Sequence, residues 1–181
     1  MCARELALAA AVVRDGGVVG CATESCYGLG CDPTCRSAVL RLLRIKGRPA
    51  QKGLILIAAN VEQLAPYVAY FPRKVLASWP GPYTWVLEAT DSTPAWIRGK
   101  HARVAVRVTR HPQAAALCRA VHMAIVSTSA NHSGEKPARS YREILRRLGD
   151  ELNYVLPGHI GKLKNPTPIA DGVSGNIVRA S

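Results

Sequence analysis

Apolar and polar positions along the chain follow two periods, which predict helices and strands in mixed order. A nearly continuous run of apolar and alanine positions predicts a first helix over residues 2–14. Further helices are predicted over residues 37–45, 60–67, 72–78, 111–121 and 141–148. Runs of β-branched and apolar residues predict strands over residues 18–22, 53–59, 83–89, 103–108 and 124–127, and near Val155, Ile169 and Ile177. Residues 23–33, rich in glycine and small side chains, are expected to form a loop.

The order of these elements indicates the fold class. Helices and strands are intermixed, and some predicted strands follow one another directly, which is typical of an α/β domain with a mixed sheet. No internal repeat, low-complexity segment or evident linker interrupts the 181 residues, a length that suits one domain. We therefore expect a single α/β domain over residues 1–181, with helices flanking a mixed sheet.

Net charge is the unusual bulk property of this chain. Twenty-four Lys and Arg residues against 12 Asp and Glu give a formal charge of +12. The segment from Pro33 to Val61 contains no Asp or Glu but six basic residues: Arg36, Arg41, Arg44, Lys46, Arg48 and Lys52. Two interpretations stay open for this block, a solvated basic helix face or a site for an anion such as nucleotide phosphates or an RNA backbone.

The remaining composition excludes several classes of protein. Hydrophobic residues make up 48% and charged residues 20%, the ordinary balance of a globular protein, so wholesale disorder is excluded. No stretch is long enough to span a bilayer, and without an export signal we expect a cytoplasmic protein with free thiols. Neither the cysteines nor the histidines have the spacing of metal ligands, so no protein-bound metal or cluster is expected.

Two cations follow the second predicted helix, in the segment Lys46-Gly47-Arg48-Pro49. Pro49 biases Arg48 towards an extended backbone, which makes Lys46 and Arg48 project to the same side. Such a pair can hold two phosphate groups, the arginine as a fork and the lysine as a point charge. Compensation of the helix dipole is the alternative, but it explains Lys46 and not the Gly-Arg-Pro that follows.

Polar residues also lie where other predicted strands end. One strand runs into the segment Ser127-Thr128-Ser129-Ala130-Asn131, whose hydroxyl and amide groups suit phosphate oxygens. Thr23 and Glu24 follow another strand, where an ordinary turn is the alternative to a ligand site. Arg107 lies in an apolar strand and needs an anion if it is buried. Because acids are scarce near Arg107 in the sequence, a bound ligand is favoured over a paired core charge.

Taken together, these segments resemble the YrdC/TsaC family of threonylcarbamoyl-AMP synthases, in its short single-domain branch. The matching stretches keep their order over nearly the whole chain: Thr23-Glu24 with residues 27–29, Lys46-Gly47-Arg48-Pro49, residues 52–54, Trp79-Pro80-Gly81-Pro82 with Thr84, residues 104–107, Ser127-Thr128-Ser129-Ala130-Asn131 with Ser133-Gly134, and, more weakly, residues 165–171. The resemblance implies a twisted α/β sheet around a large, positively charged cavity.

The resemblance also implies a reaction. L-threonine, bicarbonate and ATP give threonylcarbamoyl-AMP and pyrophosphate, and a tRNA-modifying transferase complex then delivers the threonylcarbamoyl group to adenosine in tRNA. The enzyme is thereby a nucleotidyltransferase, and Mg²⁺ is expected to accompany ATP. Carboxylated threonine is an anion that attacks the α-phosphorus of another anion, so charge neutralisation and positioning matter more than a protein nucleophile or acid–base group.

Site residues follow from the same resemblance. The expected ATP-binding residues are Lys46, Arg48, Ser127, Ser129 and Asn131. Thr23 and Arg107 are expected to contact threonine, Arg107 at its carboxylate, and Lys52 is expected to add charge to the cavity. The chain departs from the family pattern at Ala22, where proline is usual, and at Pro168 and Ala170, where threonine and valine are usual.

The main alternative is a protein that binds double-stranded RNA or tRNA in the basic cavity without catalysis. Positive charge supports both interpretations, and direct tRNA binding stays open for the enzyme as well. An RNA-binding surface is typically built from exposed basic and aromatic side chains, and only 6% of this chain is aromatic. A second alternative is a related carbamoyl-transfer domain that acts on another acceptor amine.

Overall fold

The computed structural model describes residues 2–180, which form six α-helices and nine β-strands. The helices are α1 (Ala3–Arg14), α2 (Arg36–Lys46), α3 (Arg73–Ala77), α4 (Ala95–Arg98), α5 (Pro112–Val121) and α6 (Tyr141–Leu148). The strands are β1 (Val19–Ala22), β2 (Tyr27–Gly30), β3 (Ile55–Ala58), β4 (Thr84–Glu88), β5 (Arg103–Val108), β6 (Ile125–Ser129), β7 (Tyr154–Val155), β8 (Ile169–Asp171) and β9 (Ile177–Arg179). Short 3-10 turns lie at Ala50–Lys52, Glu62–Leu64 and Gly149–Glu151.

The strands form one mixed sheet in the order β7-β1-β2-β6-β3-β5-β4-β8-β9. Strands β1 and β7, β3 and β5, and β4 and β8 pair in parallel, whereas the other neighbours are antiparallel. This confirms the mixed α/β sheet expected from the sequence. On β3, Ile55 is opposite Ser127 and Ile57 is opposite Arg107. Because alternate residues of a strand share a face, Ser127 and Arg107 belong to the same side of the sheet.

The two faces of the sheet pack against different helices. Leu56 belongs to a core with side chains of α2, α4 and α6, whereas its neighbour Ile57 packs with α1 and α5. Ile55 lies at the margin of the α1–α5 core and also lines a cavity beside it. The side of the sheet that carries Arg107 and Ser127 is therefore covered by helices at one end and hollow at the other.

Helix α2 ends sharply because Gly47 adopts a left-handed backbone conformation with φ of 57°. The N–H of Gly47 donates to the carbonyl of Arg44, and the N–H of Arg48 donates to the carbonyl of Leu43, both at 3.0 Å. These two bonds close the last turn of the helix and redirect the chain. Lys46 thus remains the last residue of α2 while Arg48 begins the following segment.

Most predicted elements are confirmed, with shifts of a few residues at their ends. The predicted loop over residues 23–33 is wrong at β2, which pairs with β1 so that Ala22 is opposite Tyr27. Two of the four residues of β2 are glycines, which hide a strand because they disfavour extended structure on their own. The single-turn helix α4 was not predicted, and the helix predicted over residues 60–67 is reduced to the 3-10 turn at Glu62–Leu64.

Candidate functional site

A cavity of about 860 Å³ lies on the hollow side of the sheet. Eight Lys and Arg side chains and two Glu side chains line it: Lys46, Arg48, Lys52, Arg98, Lys100, Arg103, Arg107 and Arg179, with Glu24 and Glu135. Every residue singled out from the sequence as an ATP-binding, threonine-binding or charge-contributing residue also lines it. The fold therefore brings together segments that lie more than 80 residues apart in the chain.

Lys46 is buried at the wall of this cavity, with 4% of its surface exposed. Its ammonium group donates to the carbonyl oxygens of Ser129 at 2.6 Å and Asn131 at 2.8 Å. The Oδ1 atom of Asn131 lies at 3.0 Å and the Oγ atom of Ser129 at 3.3 Å from the same nitrogen. Lys46 consequently joins the end of α2 to the polar segment that follows β6.

Burial and the neighbouring Arg48 lower the pKa of Lys46 to about 8. Burial also lowers the pKa of Arg48, and for Arg179 burial and the charges of Arg48 and Arg107 act in the same direction. The shifts of Lys46 and Arg179 reflect cations held together with little water, whereas that of Arg48 reflects burial alone. An anion in the cavity would relieve this repulsion, as the phosphates of a nucleotide would.

The segment after β6 is fixed by the loop that continues from it. The side-chain amide of Asn131 donates to the carbonyls of His132 at 2.7 Å and Glu135 at 3.0 Å. The N–H of Ser133 donates to the carbonyl of Lys46 at 2.8 Å, so the loop is bound to the end of α2 from both sides. Ser127, Ser129 and Asn131 are thereby held in fixed positions along the cavity wall.

Arg48 reaches the cavity from the turn after α2. Its Nη2 atom donates to the carbonyl of Gly53 at 2.9 Å, whereas its Nε atom is buried without a partner among the described residues. Lys52 is exposed at the same rim, and no described acceptor or carboxylate binds its side chain. The two cations differ in that Arg48 is oriented by the backbone and Lys52 is not.

Arg107 projects from β5 into the cavity and is 5% exposed. Its Nη2 atom lies 3.1 Å from Oε2 of Glu24, and its Nη1 atom donates to Oγ1 of Thr84 at 3.0 Å and of Thr167 at 2.6 Å. The sequence favoured a bound ligand over a paired core charge for Arg107 because acids are scarce nearby in the chain, but the fold brings Glu24 to it from the β1–β2 turn. The Nε atom of Arg107 is buried without an acceptor among the described residues, whereas Nη2 donates one hydrogen bond there and keeps its second N–H for a ligand.

Thr23 is placed by the tight turn between β1 and β2. Its hydroxyl donates to the carbonyl of Cys26 at 2.8 Å, and the backbone N–H of Ala22 donates to Oε1 of Gln113 at 2.8 Å. A proline at position 22 has no N–H and would leave Gln113 without this bond. Ala22 and Gln113 therefore explain how the turn is held without the proline expected from the resemblance.

Sequence reasoning missed three contributors to the cavity. Glu24 was noticed only as part of a turn, and Thr167 and Arg179 lie in the tail, whose match was weak. Thr167 binds Arg107, and Arg179 donates to the carbonyl of Thr167 at 3.2 Å. Pro168 precedes β8 and Ala170 lies within it, paired beside Trp85, so neither departure prevents the tail from reaching the site. The pairing of tail segments with β4 gives no local signal in the sequence.

The described residues offer no ligand set for a resident metal ion. No group of three His, Cys, Asp or Glu side chains within residues 2–180 is placed to hold one. Mg²⁺ binds proteins through one or two carboxylates together with substrate phosphates. Here Glu24 is paired with Arg107, and Glu135 is paired with Arg147 at 2.6 Å. The residues present therefore do not fit a protein-held magnesium site. Within residues 2–180, no α-helix has both the length and the apolar composition that crossing a membrane requires.

Comparison with known proteins identifies relatives over nearly the whole chain. The Sua5/YciO/YrdC family, described as "Telomere recombination", matches residues 11–181. A Halorhodospira halophila protein named threonylcarbamoyl-AMP synthase is 53% identical over 175 residues, covering 94% of this chain and 92% of that protein. An Alkalilimnicola ehrlichii protein of the same name is 54% identical over 176 residues, covering 94% of this chain and 93% of that protein.

Solved structures show the same architecture. P. abyssi Sua5 complexed with L-threonine is 30% identical with a TM-score of 0.88, and the match covers 93% of this chain and 51% of that one. The chain therefore spans about half the length of that Sua5. E. coli YciO is 27% identical with a TM-score of 0.80, and the match covers 98% of this chain and 91% of that one.

Proposed function

The chain belongs to the Sua5/YciO/YrdC family, and from this membership and its cavity we propose that it is a threonylcarbamoyl-AMP synthase. In this proposal it is a nucleotidyltransferase that forms threonylcarbamoyl-AMP and pyrophosphate from L-threonine, bicarbonate and ATP. Residues 1–181 act as a single domain. The observation that carries the proposal is one cavity lined by Lys46, Arg48, the Ser127–Asn131 segment and Arg107.

One part of the cavity binds ATP in this proposal. Arg48 and Lys52 face the triphosphate, and Lys46 holds Ser129 and Asn131 in position while adding its own charge. The hydroxyls of Ser127 and Ser129 and the amide of Asn131 supply further polar contacts. Mg²⁺ would accompany ATP and would supply charge neutralisation on its phosphates, since Glu24 and Glu135 are paired with arginines and the described chain offers no carboxylate pair to hold the ion.

The other part of the cavity binds L-threonine. Arg107 binds its carboxylate through the N–H of Nη2 that no described residue accepts, and Thr23 lines the same cavity from the β1–β2 turn. The reaction then joins two anions, the carboxylated threonine and the α-phosphate. Cations already oriented at the meeting point lower the barrier because they need little rearrangement when charge develops.

The product leaves for a tRNA-modifying transferase complex in the cytoplasm, which completes threonylcarbamoyladenosine in tRNA. A protein that binds double-stranded RNA or tRNA without catalysis is the rejected alternative. The names of the close relatives favour the catalytic interpretation. Direct contact with tRNA is a separate property that the enzyme can have in addition.

The proposed reaction is tested by measuring pyrophosphate release from ATP and Mg²⁺ while bicarbonate and single amino acids are added or omitted. We expect release that requires both bicarbonate and threonine. Arg107→Ala should raise the threonine concentration needed, while Arg110→Ala, which removes a neighbouring exposed arginine outside the cavity, should not. RNA binding without ATP, together with no pyrophosphate in any mixture, would contradict the proposal.

A further inference from the structure

Glu24 is an unusual residue for its position, because it is a buried acid in a basic cavity. It is 8% exposed and follows Thr23 in the turn between β1 and β2. The described cavity lining contains two Glu side chains and eight Lys and Arg side chains. A carboxylate that is kept at such a place is either a structural partner of one cation or a ligand for a cationic group of the substrate.

The second acid of the lining, Glu135, is at a different kind of position. Its side chain is 50% exposed and lies 2.6 Å from Nη2 of Arg147, a residue of α6. Glu24 instead lies 3.1 Å from Nη2 of Arg107, the residue proposed to bind the substrate carboxylate. Within the described lining, Glu24 is therefore the carboxylate that stands next to the proposed threonine position.

The orientation of Glu24 is fixed without using up its capacity to accept hydrogen bonds. Its Oε2 atom accepts from Arg107, and its Oε1 atom accepts from the hydroxyl of Thr109 at 2.6 Å. Oγ1 of Thr109 in turn accepts from the N–H of His111 at 3.1 Å, which holds this hydroxyl in place. An ionised carboxylate has about four acceptor positions, so Glu24 keeps roughly half of them.

We propose that Glu24 binds the α-ammonium group of L-threonine and thereby selects α-amino acids, an inference that rests on the proposed function. L-threonine carries a carboxylate and an ammonium group on the same carbon atom. Arg107 and Glu24 present the complementary charges side by side, each within 10% exposure of its side chain. Without Glu24, the ammonium group would face a cavity lined mainly by cations.

This pairing distinguishes threonine from acids of the same shape that lack the amino group. A carboxylate that binds the ammonium group of one ligand offers no such contact to an analogue without that group, so the analogue is bound more weakly. 3-Hydroxybutanoate is threonine without the α-amino group, and it keeps the carboxylate, the hydroxyl and the methyl group. Arg107 can bind both molecules, whereas Glu24 can attract only threonine.

The test is calorimetric titration of L-threonine and of 3-hydroxybutanoate into the wild-type protein and Glu24→Gln. We expect the wild-type protein to bind threonine at least tenfold more tightly than 3-hydroxybutanoate. Glu24→Gln should lose at least tenfold in threonine affinity while its affinity for 3-hydroxybutanoate stays the same or rises. Glu135→Gln is the matched control and should keep the wild-type preference, because that carboxylate pairs with Arg147.

Two outcomes would overturn the inference. Equal affinity of the wild-type protein for the two acids would do so without any variant, even if Glu24→Gln failed to fold. A parallel loss of affinity for L-threonine and for 3-hydroxybutanoate in a folded Glu24→Gln protein would mean that Glu24 only orients Arg107. Failure of the proposed function is a separate result, since the wild-type protein would then release no threonine-dependent pyrophosphate.

Discussion

Replacement of Lys46 by methionine separates the nucleotide binding proposed for this residue from its support of the loop after β6. Methionine keeps much of the apolar length of lysine and removes the ammonium group. Four oxygen atoms then lose a donor at 2.6 to 3.3 Å. Two of them, the carbonyl and Oδ1 of Asn131, accept no other hydrogen bond from the described residues.

The expected loss of stability follows from these two acceptors. A buried acceptor left without a donor costs about 1 to 3 kcal/mol. The site opens onto a cavity that admits water, so the lower end applies and the free energy of unfolding should fall by about 2 kcal/mol. For a protein of this size, about 2 kcal/mol corresponds to a decrease in Tm of roughly 4 to 8 °C.

Thermal unfolding at pH 7, followed by calorimetric titration with ATP, measures both effects. Lys52→Met is the matched control, because Lys52 lines the same cavity but is exposed and has no side-chain hydrogen bond in residues 2–180. Both variants should bind ATP less tightly, whereas only Lys46→Met should lose stability. An unchanged or raised Tm of Lys46→Met would mean that the free energy of desolvating the ammonium group is at least as large as the stabilisation from its hydrogen bonds. That result would refute the supporting role.

Two further predictions follow from the cavity and its walls. ATP affinity should fall by up to about tenfold per pH unit as pH rises through about 8. Burial and Arg48 lower the pKa of Lys46 to this value. Above it, the amine of Lys46 is deprotonated and must take up a proton when ATP binds. Calorimetric titrations from pH 7 to 9.5 measure this effect, which Lys52→Met should keep, and a flat profile would contradict it. Gly99→Ala should reduce stability by about 1 to 3 kcal/mol, because φ is 64° and an added Cβ would meet the carbonyl oxygen of Gln51 at 2.4 Å. Gly47→Ala is the comparison in thermal unfolding, since its φ is 57° but no atom lies within 4 Å, and an equal or larger loss there would contradict a steric origin.

Most of the fold could be predicted from the sequence because its strands and helices carry their own patterns. The run Arg103 to Val108 predicts β5 without reference to any other segment. The grouping of Lys46 with Ser129 was expected from the order of motifs and from the family resemblance, and in the structure Nζ of Lys46 lies 2.6 Å from the carbonyl oxygen of Ser129. The two segments meet because the chain after Lys46 leads into β3, and β3 pairs with β6, the strand that ends at Ser129.

The partner of Arg107 could not be predicted in the same way. Glu24 lies 83 residues away in sequence, in a turn that was assigned to a loop because glycines obscured β2. Scarcity of acids near Arg107 in the sequence says nothing about acids brought in from across the sheet. The order β2-β6-β3-β5 shows that two strands lie between the segments, and sequence patterns do not encode such an order.

The cations of the cavity fall into two groups, buried ones that the protein orients and exposed ones without a partner among the described residues, and the two groups have different effects on a bound anion. Lys46 and Arg107 are buried and bound by fixed oxygen atoms, so their charges are in position before any ligand arrives. Lys52 and Lys100 are exposed at the rim and form no ion pair within the described chain, so their charges are solvated. Fixed charges stabilise a developing charge because they need no reorganisation, whereas solvated charges mainly attract a polyanion from solution. Added salt should therefore weaken the contribution of Lys52 and Lys100 to ligand binding more than that of Lys46 and Arg107, since only exposed charges are screened strongly.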